Sequence, residues 1–235
     1  MWRACLDPTQ WPWPGGCQIC LAWGTERLCK DCLARFCPAV LRCPRCAQRL
    51  FGPHCADCLR EPPAWDGAVC AVDYAPPWDR LLHGLKYHEQ MGAAPALGHL
   101  LACAVRAAQA PTDALCLLPV PLHPHRLAQR GYNQSQRLAS VLAGQLGVPL
   151  APGWVLRVED SLPQAQTESR DARWRQMQRA FALAPKADVR DRHIALVDDV
   201  MTTGATMSAL ATLLRRHGAA SVQAWAVART PRPHD

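Results

Sequence analysis

The pattern of apolar and polar positions changes near residue 62. Residues 1–62 are rich in Cys, Arg and Pro, and their apolar positions follow no sustained period. After Glu61-Pro62-Pro63, short apolar runs alternate with amphipathic stretches whose apolar residues recur at helical spacing. The pattern therefore predicts two domains, one at residues 1–62 and one at residues 63–235.

The second part of the chain alternates predicted strands with predicted helices. Two of the strands are almost continuously apolar, which is typical of strands buried on both faces of a parallel sheet. This alternation predicts an α/β fold with an open, mainly parallel sheet and flanking helices. The predicted strands are residues 67–74, 115–120, 193–197 and 221–228, and the predicted helices are residues 78–90, 93–108, 133–146 and 206–217.

Composition excludes disorder and narrows the class of protein. The 235 residues are 49% hydrophobic, which is enough to bury a core. The net charge is +7, and nearly all of the basic residues are Arg. This charge is compatible with binding of a polyanion such as nucleic acid but does not by itself predict it. There is no run of about 18 apolar residues and no apolar stretch at the start, so neither a membrane span nor a secretory signal is expected. We expect a cytoplasmic protein, in which abundant Cys points to metal or redox chemistry.

Eight of the thirteen cysteines form a repeated pattern. C-x2-C-x8-C-x2-C occurs twice, and the second copy begins 26 residues after the first. Two thiolates from each CxxC turn can bind one cation, and two turns complete the tetrahedral four-sulfur shell that suits Zn2+. The pattern predicts two structural zinc sites formed by Cys17, Cys20, Cys29 and Cys32 and by Cys43, Cys46, Cys55 and Cys58.

Other interpretations of the cysteines stay open at this stage. The pairs could be redox dithiols or oxidised bridges, or they could hold iron or an iron–sulfur cluster. Pairing within each repeat is favoured over a cross-brace because the eight-residue spacing fits a ribbon hairpin. Cys70 and Cys116 lie in predicted strands and are expected to be small core residues.

Residues 193–207 read HIALVDDVMTTGATM and contain the strongest candidate site. A buried strand is predicted to end at Asp198-Asp199, where a loop rich in Thr and Gly leads into a helix. Ligands bind at the carboxyl ends of strands in such sheets, and backbone N–H groups at a helix start can bind phosphate. The adjacent carboxylates can accept hydrogen bonds from vicinal hydroxyls, so a ribose 5-phosphate fits better than an ordinary polar turn. The predicted phosphate-binding residues are Met201, Thr202, Thr203, Gly204, Ala205 and Thr206.

The segment VDDVMTTGAT resembles the phosphoribosyl pyrophosphate (PRPP) motif of type I phosphoribosyltransferases. The resemblance implies that Asp198 and Asp199 contact the ribose hydroxyls in a catalytic role, that the loop binds the 5-phosphate, and that Mg2+ binds with PRPP. Family members that act on 6-oxopurines carry Asp where this chain has Thr202, which argues against that class of acceptor.

The order of motifs along the chain is similar to the ComF family, which includes competence proteins and GntX-like proteins. The cysteine pairs, Asp73-Tyr74, Leu85-Lys86-Tyr87 and residues 118–134 (LPVPLHPHRLAQRGYNQ) carry this resemblance over about residues 17–230. It implies a double zinc ribbon before the transferase domain. It also implies a pyrophosphate loop whose Arg residues bind the diphosphate, although solvated surface charges are the alternative. The implied loop residues are Val120, Pro121, Leu122, His123, Arg126 and Arg130.

The polar segment at residues 157–181 corresponds by resemblance to a mobile hood that closes over PRPP and excludes water. Its candidate contacts are Arg173 and Arg175. Gln176 stands where ComF-like chains often have Asn, which changes the amide available to an acceptor. A plain charged helix is the alternative for this segment.

Three functions are compatible with the sequence. The first is a phosphoribosyltransferase that acts on an unidentified acceptor and is associated with DNA uptake. The second is a non-catalytic sensor of PRPP or a nucleotide, or an accessory protein whose ribbons contact single-stranded DNA or a DNA-uptake helicase. The third is a zinc and thiol redox switch. If both zinc sites fill, eight thiolates and two Zn2+ lower the formal charge from +7 to about +3, which weakens the argument from bulk charge for DNA binding.

Overall fold

The computed structural model describes residues 15–86, 92–113, 115–159 and 179–232. The strands are β1 Gly15–Gly16, β2 Trp23–Gly24, β3 Gly67–Asp73, β4 Leu115–Pro119, β5 Val155–Arg157, β6 Phe181–Leu183, β7 His193–Met201 and β8 Ser221–Arg229. The helices are α1 Lys30–Phe36, α2 Ala56–Arg60, α3 Trp78–Lys86, α4 Ala93–Ala107, α5 Pro124–Arg130, α6 Gln134–Leu146 and α7 Ala205–Arg216.

A four-stranded parallel sheet forms the centre of the molecule. Its strand order is β3-β8-β7-β4, so β7 and β8 are flanked on both sides. Side chains alternate between the two faces, and both faces are buried: Trp225 and Val227 of β8 belong to one core, and Ala224 and Ala226 belong to the other. This explains why the sequence of the strands is continuously apolar, and it confirms the predicted fold class.

Helices cover both faces of this sheet. The first core is completed by α3, α4 and α6, and the second by α7. A Cβ at Gly98 of α4 would lie 2.7 Å from the Cβ of Val141, so the glycine allows α4 and α6 to approach closely. Cys70 lies in the second core and Cys116 is also buried, as the sequence predicts.

Two segments differ from the sequence prediction. The sequence predicts that β7 ends at the acid pair, but the strand continues through Asp198 and Asp199 because Val200 and Met201 still pair with β8. The sequence predicts a loop at residues 124–130, yet these residues form α5. His123 caps this helix by accepting a hydrogen bond from the N–H of His125 at 3.3 Å, proline occupies its first turn, and Gly131 ends it with φ of 72°.

The cysteine-rich segment packs directly on the sheet and its helices. Leu28 and Leu33 belong to the same core as α3 and α4, and the indole of Trp78 donates to the carbonyl of Phe36 at 2.8 Å. Farther along, the N–H of Ala68 in β3 donates to the carbonyl of Pro44 at 2.8 Å. The segment is therefore anchored at two places, and the division into domains at residue 62 stays a prediction.

Asp73 at the end of β3 strengthens the second anchor. Its carboxylate forms ion pairs with Arg42, at 2.8 Å, and with Arg49. Asp73 is only 10% exposed and Arg42 only 13%, so this pair is better shielded from water than an ordinary surface ion pair. The Asp-Tyr motif of the sequence thus has a structural role at its first residue.

Candidate functional site

The eight cysteines of the repeat form two separate sulfur clusters. Within each set of four, the sulfur atoms all lie within 4.8 Å of one another. The Sγ atoms of Cys20 and Cys29 are 3.7 Å apart, as are those of Cys46 and Cys55. A tetrahedral zinc with Zn–S bonds of about 2.3 Å requires S···S separations of about 3.8 Å. Each cluster could therefore hold a zinc ion.

The composition of the clusters decides between the two pairing schemes. Cys17, Cys20, Cys29 and Cys32 form the first cluster, and Cys43, Cys46, Cys55 and Cys58 form the second. The sulfurs thus group within each repeat, as favoured from the sequence, and a cross-brace is not formed. The cysteines of the described residues are free thiols, so no disulfide competes for them there.

The second cluster is the more buried of the two, and it contains an activated thiol. Burial opposes ionisation of Cys55, but the backbone N–H of Cys58 and the guanidinium of Arg232 outweigh it and lower the pKa of Cys55 to about 6. The Arg232 side chain lies 3.5 Å from this sulfur. A thiol that ionises near neutral pH is a good metal ligand, because metals bind the thiolate.

The acid pair lies near the carboxyl end of β7, in contact with two other elements. Ser135 of α6 donates its hydroxyl to Oδ1 of Asp198 at 2.7 Å, and the same oxygen accepts the backbone N–H of Asp199 at 2.9 Å. Asp199 is buried, with 4% of its surface exposed, and Nζ of Lys86 lies 2.9 Å from its Oδ2. Strand β7 and helices α3 and α6 therefore hold the two carboxyl groups together.

The two carboxyl groups have different electrostatic environments. Burial and, after it, the negative charge of Asp199 raise the pKa of Asp198 to about 8, despite the opposing hydrogen bond from Ser135. Burial opposes the charge of Lys86, but the attraction of Asp199 outweighs it and raises the pKa of Lys86. Asp198 thus holds a proton more readily than an ordinary carboxyl group, whereas Asp199 faces the ammonium group of Lys86. Together they can bind vicinal hydroxyl groups.

The predicted phosphate loop follows the acid pair, but it starts one residue later than the sequence suggests. Met201 is the last residue of β7 and its side chain is buried, so the loop begins at Thr202. Thr202 and Thr203 are exposed, and the hydroxyl of Thr203 accepts the N–H of Ala205 at 3.3 Å. Thr206 lies in the first turn of α7.

Gly204 sets the geometry of this loop. Its φ is +81°, a conformation that favours glycine, and α7 starts at the next residue. A Cβ added here would lie 2.7 Å from the ring of Trp65, which therefore forms the floor of the loop. The loop presents backbone N–H groups at the start of a 12-residue helix, an arrangement suited to a phosphate.

The predicted pyrophosphate loop lies beside the acid pair because β4 pairs with β7. The N–H of Val120 donates to the carbonyl of Val197 at 2.9 Å, and the side chain of Asn133 donates to the carbonyl of Val120 at 2.9 Å. Asn133 caps α6 two residues before Ser135, which contacts Asp198. The start of α6 thus connects the two loops.

The remaining predicted site residues fall into two groups. Residues 120–123, including Pro121 and Leu122, lead from β4 into α5, which carries Arg126 and Arg130, both half-buried. Arg130 donates to the side-chain oxygen of Gln134 at 3.3 Å. The hood residues Arg173 and Arg175 lie outside the described residues, although β5 and β6 pair on either side of that segment.

Two residues of the site were missed as site residues from the sequence alone. Lys86 lies in the Leu-Lys-Tyr motif, which indicates the family but no site, and Ser135 follows the Tyr-Asn-Gln motif. The signal for Lys86 is an apolar helix face that ends in a lysine. The signal for Ser135 is a serine in the first turn of a helix. Neither signal reveals a partner that lies more than 60 residues away in sequence.

Comparison with known proteins agrees with this geometry. Residues 132–234 match the model of the phosphoribosyl transferase domain. The chain is 36% identical to the DNA utilization protein YhgH of Escherichia coli K12, over 92% of this chain and 98% of that protein. It is 34% identical to Competence protein F of Haemophilus influenzae, over 88% of this chain and 94% of that protein. The chain belongs to the ComF family.

A solved structure is also similar to this ComF-family chain. It is described as the allosteric regulatory enzyme of purine biosynthesis, with 19% identity and a TM-score of 0.41 over 61% of this chain and 29% of that one.

Among the described residues of the ComF-family chain, no helix is both long enough and apolar enough to cross a membrane.

The two clusters predict the metal content of the protein. Purified protein should contain two zinc ions per chain, because each cluster supplies four thiolate ligands at tetrahedral spacing. The double variants Cys29→Ser/Cys32→Ser and Cys55→Ser/Cys58→Ser should each retain one. Elemental analysis measures this content. A wild-type content below two, or iron in place of zinc, would contradict the prediction.

The raised pKa of Asp198 predicts a pH-dependent stability. Because this carboxyl group binds its proton more tightly in the folded chain, it stabilises the fold below its unfolded pKa, and this contribution is lost as pH rises towards about 8. Asn cannot ionise, so the stability advantage of Asp198→Asn over wild type should increase from pH 5.5 to pH 8.5, by about 1 kcal/mol or more. Denaturant unfolding with zinc present measures the free energy of unfolding.

A surface acid serves as the control for this experiment. Asp188 is 70% exposed and precedes the amino end of β7, remote from the acid pair. Asp188→Asn should change the stability equally at both pH values. An advantage of Asp198→Asn that does not grow with pH would show that Asp198 is ionised in the folded state at both values.

Proposed function

We propose that this ComF-family protein binds PRPP, or a related ribose 5-phosphate ligand, together with Mg2+, and transfers the phosphoribosyl group to a nitrogen nucleophile. The observation that carries the proposal is the convergence of three features at one sheet edge. The acid pair lies near the carboxyl end of β7, the Thr/Gly loop follows this strand and leads into α7, and the third loop follows the adjacent strand β4.

The acid pair and the loop provide complementary contacts for such a ligand. Vicinal ribose hydroxyls would donate to the carboxyl oxygens of Asp198 and Asp199, and the 5-phosphate would accept N–H groups of residues 202–206. Nζ of Lys86 lies 2.9 Å from Oδ2 of Asp199, so a cation stands beside this acceptor. Binding both ends of the ribose phosphate fixes the position of its reacting carbon.

The transferase reaction needs charge stabilisation more than a covalent nucleophile. As pyrophosphate leaves C1, the sugar develops cationic character, and the nearby carboxylate of Asp199 would stabilise it. Arg126 and Arg130 would contact the departing diphosphate, and Mg2+, bound through PRPP and water, would supply further neutralising charge. The hood residues Arg173 and Arg175 would close over the ligand and exclude water.

The relatives suggest where this activity is used. Their names refer to DNA utilization and competence, so we place the protein in the cytoplasm, in the handling of incoming DNA. We also propose that Zn2+ fills both clusters and that residues 1–62 and residues 63–235 are the two domains, in which the first would present the zinc ribbons to a partner.

A second candidate is a non-catalytic role in which the ribbons contact single-stranded DNA or a DNA-uptake helicase. Two aromatic side chains favour it, because Trp23 is 84% exposed and Phe51 is 76% exposed. Each lies on one of the two cysteine-rich repeats, and exposed aromatic rings near arginine are suited to stacking on unpaired bases. In this case PRPP would be sensed and no pyrophosphate would be released.

Calorimetry with PRPP and Mg2+ tests the ligand. Wild-type protein should bind, and Asp199→Asn should weaken binding about ten- to a hundredfold, since hydrogen bonds to a charged group contribute about 1.5–3 kcal/mol. Asp188→Asn should bind like wild type. Absence of wild-type binding, or full binding by Asp199→Asn, would refute the proposal. Pyrophosphate release across a panel of nitrogen bases separates the transferase from the sensor.

Gel shifts with single-stranded DNA at several salt concentrations test the second candidate. The double variant Trp23→Ala/Phe51→Ala should bind at least about tenfold more weakly, because stacking contributes about 1–3 kcal/mol per base. Leu59→Ala removes an exposed apolar side chain without a ring and should have no effect. If wild-type protein fails to bind even at low salt, where phosphate contacts are strongest, the ribbons serve another partner.

A further inference from the structure

Arg229, the last residue of β8, is buried although it carries a guanidinium group. Only 7% of its surface is exposed. Its N–H groups donate to backbone carbonyls from three parts of the chain, namely those of Cys46, Met201 with Thr202, and Thr230. A buried charge is costly unless it is satisfied by hydrogen bonds, so these carbonyls are well-defined partners.

The positions of these carbonyls connect two sites. The Nε of Arg229 donates to the backbone carbonyl of Cys46 at 2.9 Å, and the sulfur of the same residue belongs to the second cluster. Its Nη1 donates to Met201 at 2.8 Å and also to Thr202, the first residue of the phosphate loop. The planar guanidinium has its donors in a fixed arrangement, so it holds the carbonyls at a defined separation.

Two further contacts connect the second repeat to the surroundings of the phosphate loop. The indole of Trp65 donates to the carbonyl of Arg45 at 2.6 Å, and its ring lies beneath Gly204. The side chain of Gln48 donates to the carbonyl of Thr230 at 3.1 Å, and the N–H of Thr230 donates to Met201 at 3.1 Å. Residues 45–48, in and just after one CxxC turn, therefore support the phosphate loop from below.

The first cluster is anchored elsewhere. Its segment packs through Leu28 and Leu33 on α3 and α4, and through Phe36 on Trp78. In the described part of the chain, the hydrogen bonds that connect a cysteine repeat to the surroundings of the phosphate loop come from residues 45–48 of the second repeat. The two clusters are repeats with the same ligands, so the first is a matched control for the second.

We propose that Arg229 is a positioning residue that fixes the phosphate loop to the second four-cysteine cluster, so that phosphate binding depends on that cluster and not on the first. Metal ligation fixes the conformation of a CxxC turn, and loss of the metal releases it. The carbonyl of Cys46 would then move, Arg229 would lose an acceptor, and the N–H groups of the loop would no longer point to one place. This inference rests on the proposed binding of a ribose phosphate and assigns its regulation.

The first test compares matched cysteine variants. Cys55→Ser/Cys58→Ser should weaken PRPP binding at least tenfold, whereas Cys29→Ser/Cys32→Ser should bind within about twofold of wild type. Both leave the sequence of residues 43–48 unchanged, and each should lose one zinc. Equal effects of the two variants, or no effect of either, would overturn the proposal.

The second test distinguishes positioning from a general loss of structure. Arg229→Lys keeps the charge but not the fork of donors, and it should weaken PRPP binding at least tenfold while retaining two zinc ions. For Arg229→Ala, free guanidinium at millimolar concentration should restore binding, whereas sodium at equal ionic strength should not. Failure of this rescue, together with wild-type affinity of Arg229→Lys, would contradict the role of the fork.

The third test is reciprocal, because coupling between two binding sites acts equally in both directions. Saturating PRPP should raise the affinity for one of the two zinc ions, measured by equilibrium competition with a chromophoric chelator. This more tightly held ion should be absent in Cys55→Ser/Cys58→Ser, and the effect should disappear in Arg229→Lys. If PRPP raises the affinity for both ions equally or for neither, the coupling does not exist.

Hydrogen exchange without ligand separates this inference from the proposed function. The amides of residues 201–206 should exchange faster in Arg229→Lys and in Cys55→Ser/Cys58→Ser, but not in Cys29→Ser/Cys32→Ser. If wild-type protein fails to bind PRPP but this pattern is observed, the proposed ligand is wrong and the positioning role stands. If PRPP binds and the exchange is unchanged, the positioning role is wrong.

Discussion

The parallel pairing of β7 with β4 and β8 is the constraint on which the rest of the structure depends. Because both faces of these strands are buried, a shift in register would move apolar side chains out of one of the two cores. The register places Pro119 opposite Val197, and Asp198 opposite Ala226. The loops that follow these strands therefore lie at one edge of the sheet. The two candidate ligand loops are neighbours in space although they are far apart along the chain.

The acid pair is held at this edge against its own repulsion. Two adjacent carboxyl groups repel each other when both carry charge, and the structure places Lys86 beside Asp199 and the hydroxyl of Ser135 beside Asp198. Both partners come from helices of the first core, so the geometry of the pair depends on how α3 and α6 pack. A ligand with two hydroxyl groups would find acceptors already oriented, which reduces the entropy lost on binding.

Much of this architecture follows from local patterns, and the remainder does not. The four strands of the central sheet, the four longer helices packed on it and the two cysteine clusters are predictable because their signals, periodicity and spacing, lie within a few residues. The short helix α5 is not, since the sequence predicts a loop there. The continuation of β7 is hidden, since Asp198 and Asp199 interrupt the apolar run while backbone pairing continues. The roles of Ser135 and Arg229 depend on partners 63 and 183 residues away, which one sequence cannot specify.

The second cysteine cluster is joined to the phosphate loop through backbone carbonyls that accept hydrogen bonds from Arg229. Around the second cluster, the buried core consists of Cys43, Cys46 and Cys55, so a metal bound there would supply much of the folding energy. The side chains of Arg42 and Arg49 attach this segment to Asp73 at the end of β3. Hydrogen bonds from one rigid guanidinium to carbonyls are directional, so they transmit the shape of the CxxC turn to the loop. The ion pairs thus attach the segment, and Arg229 aligns it.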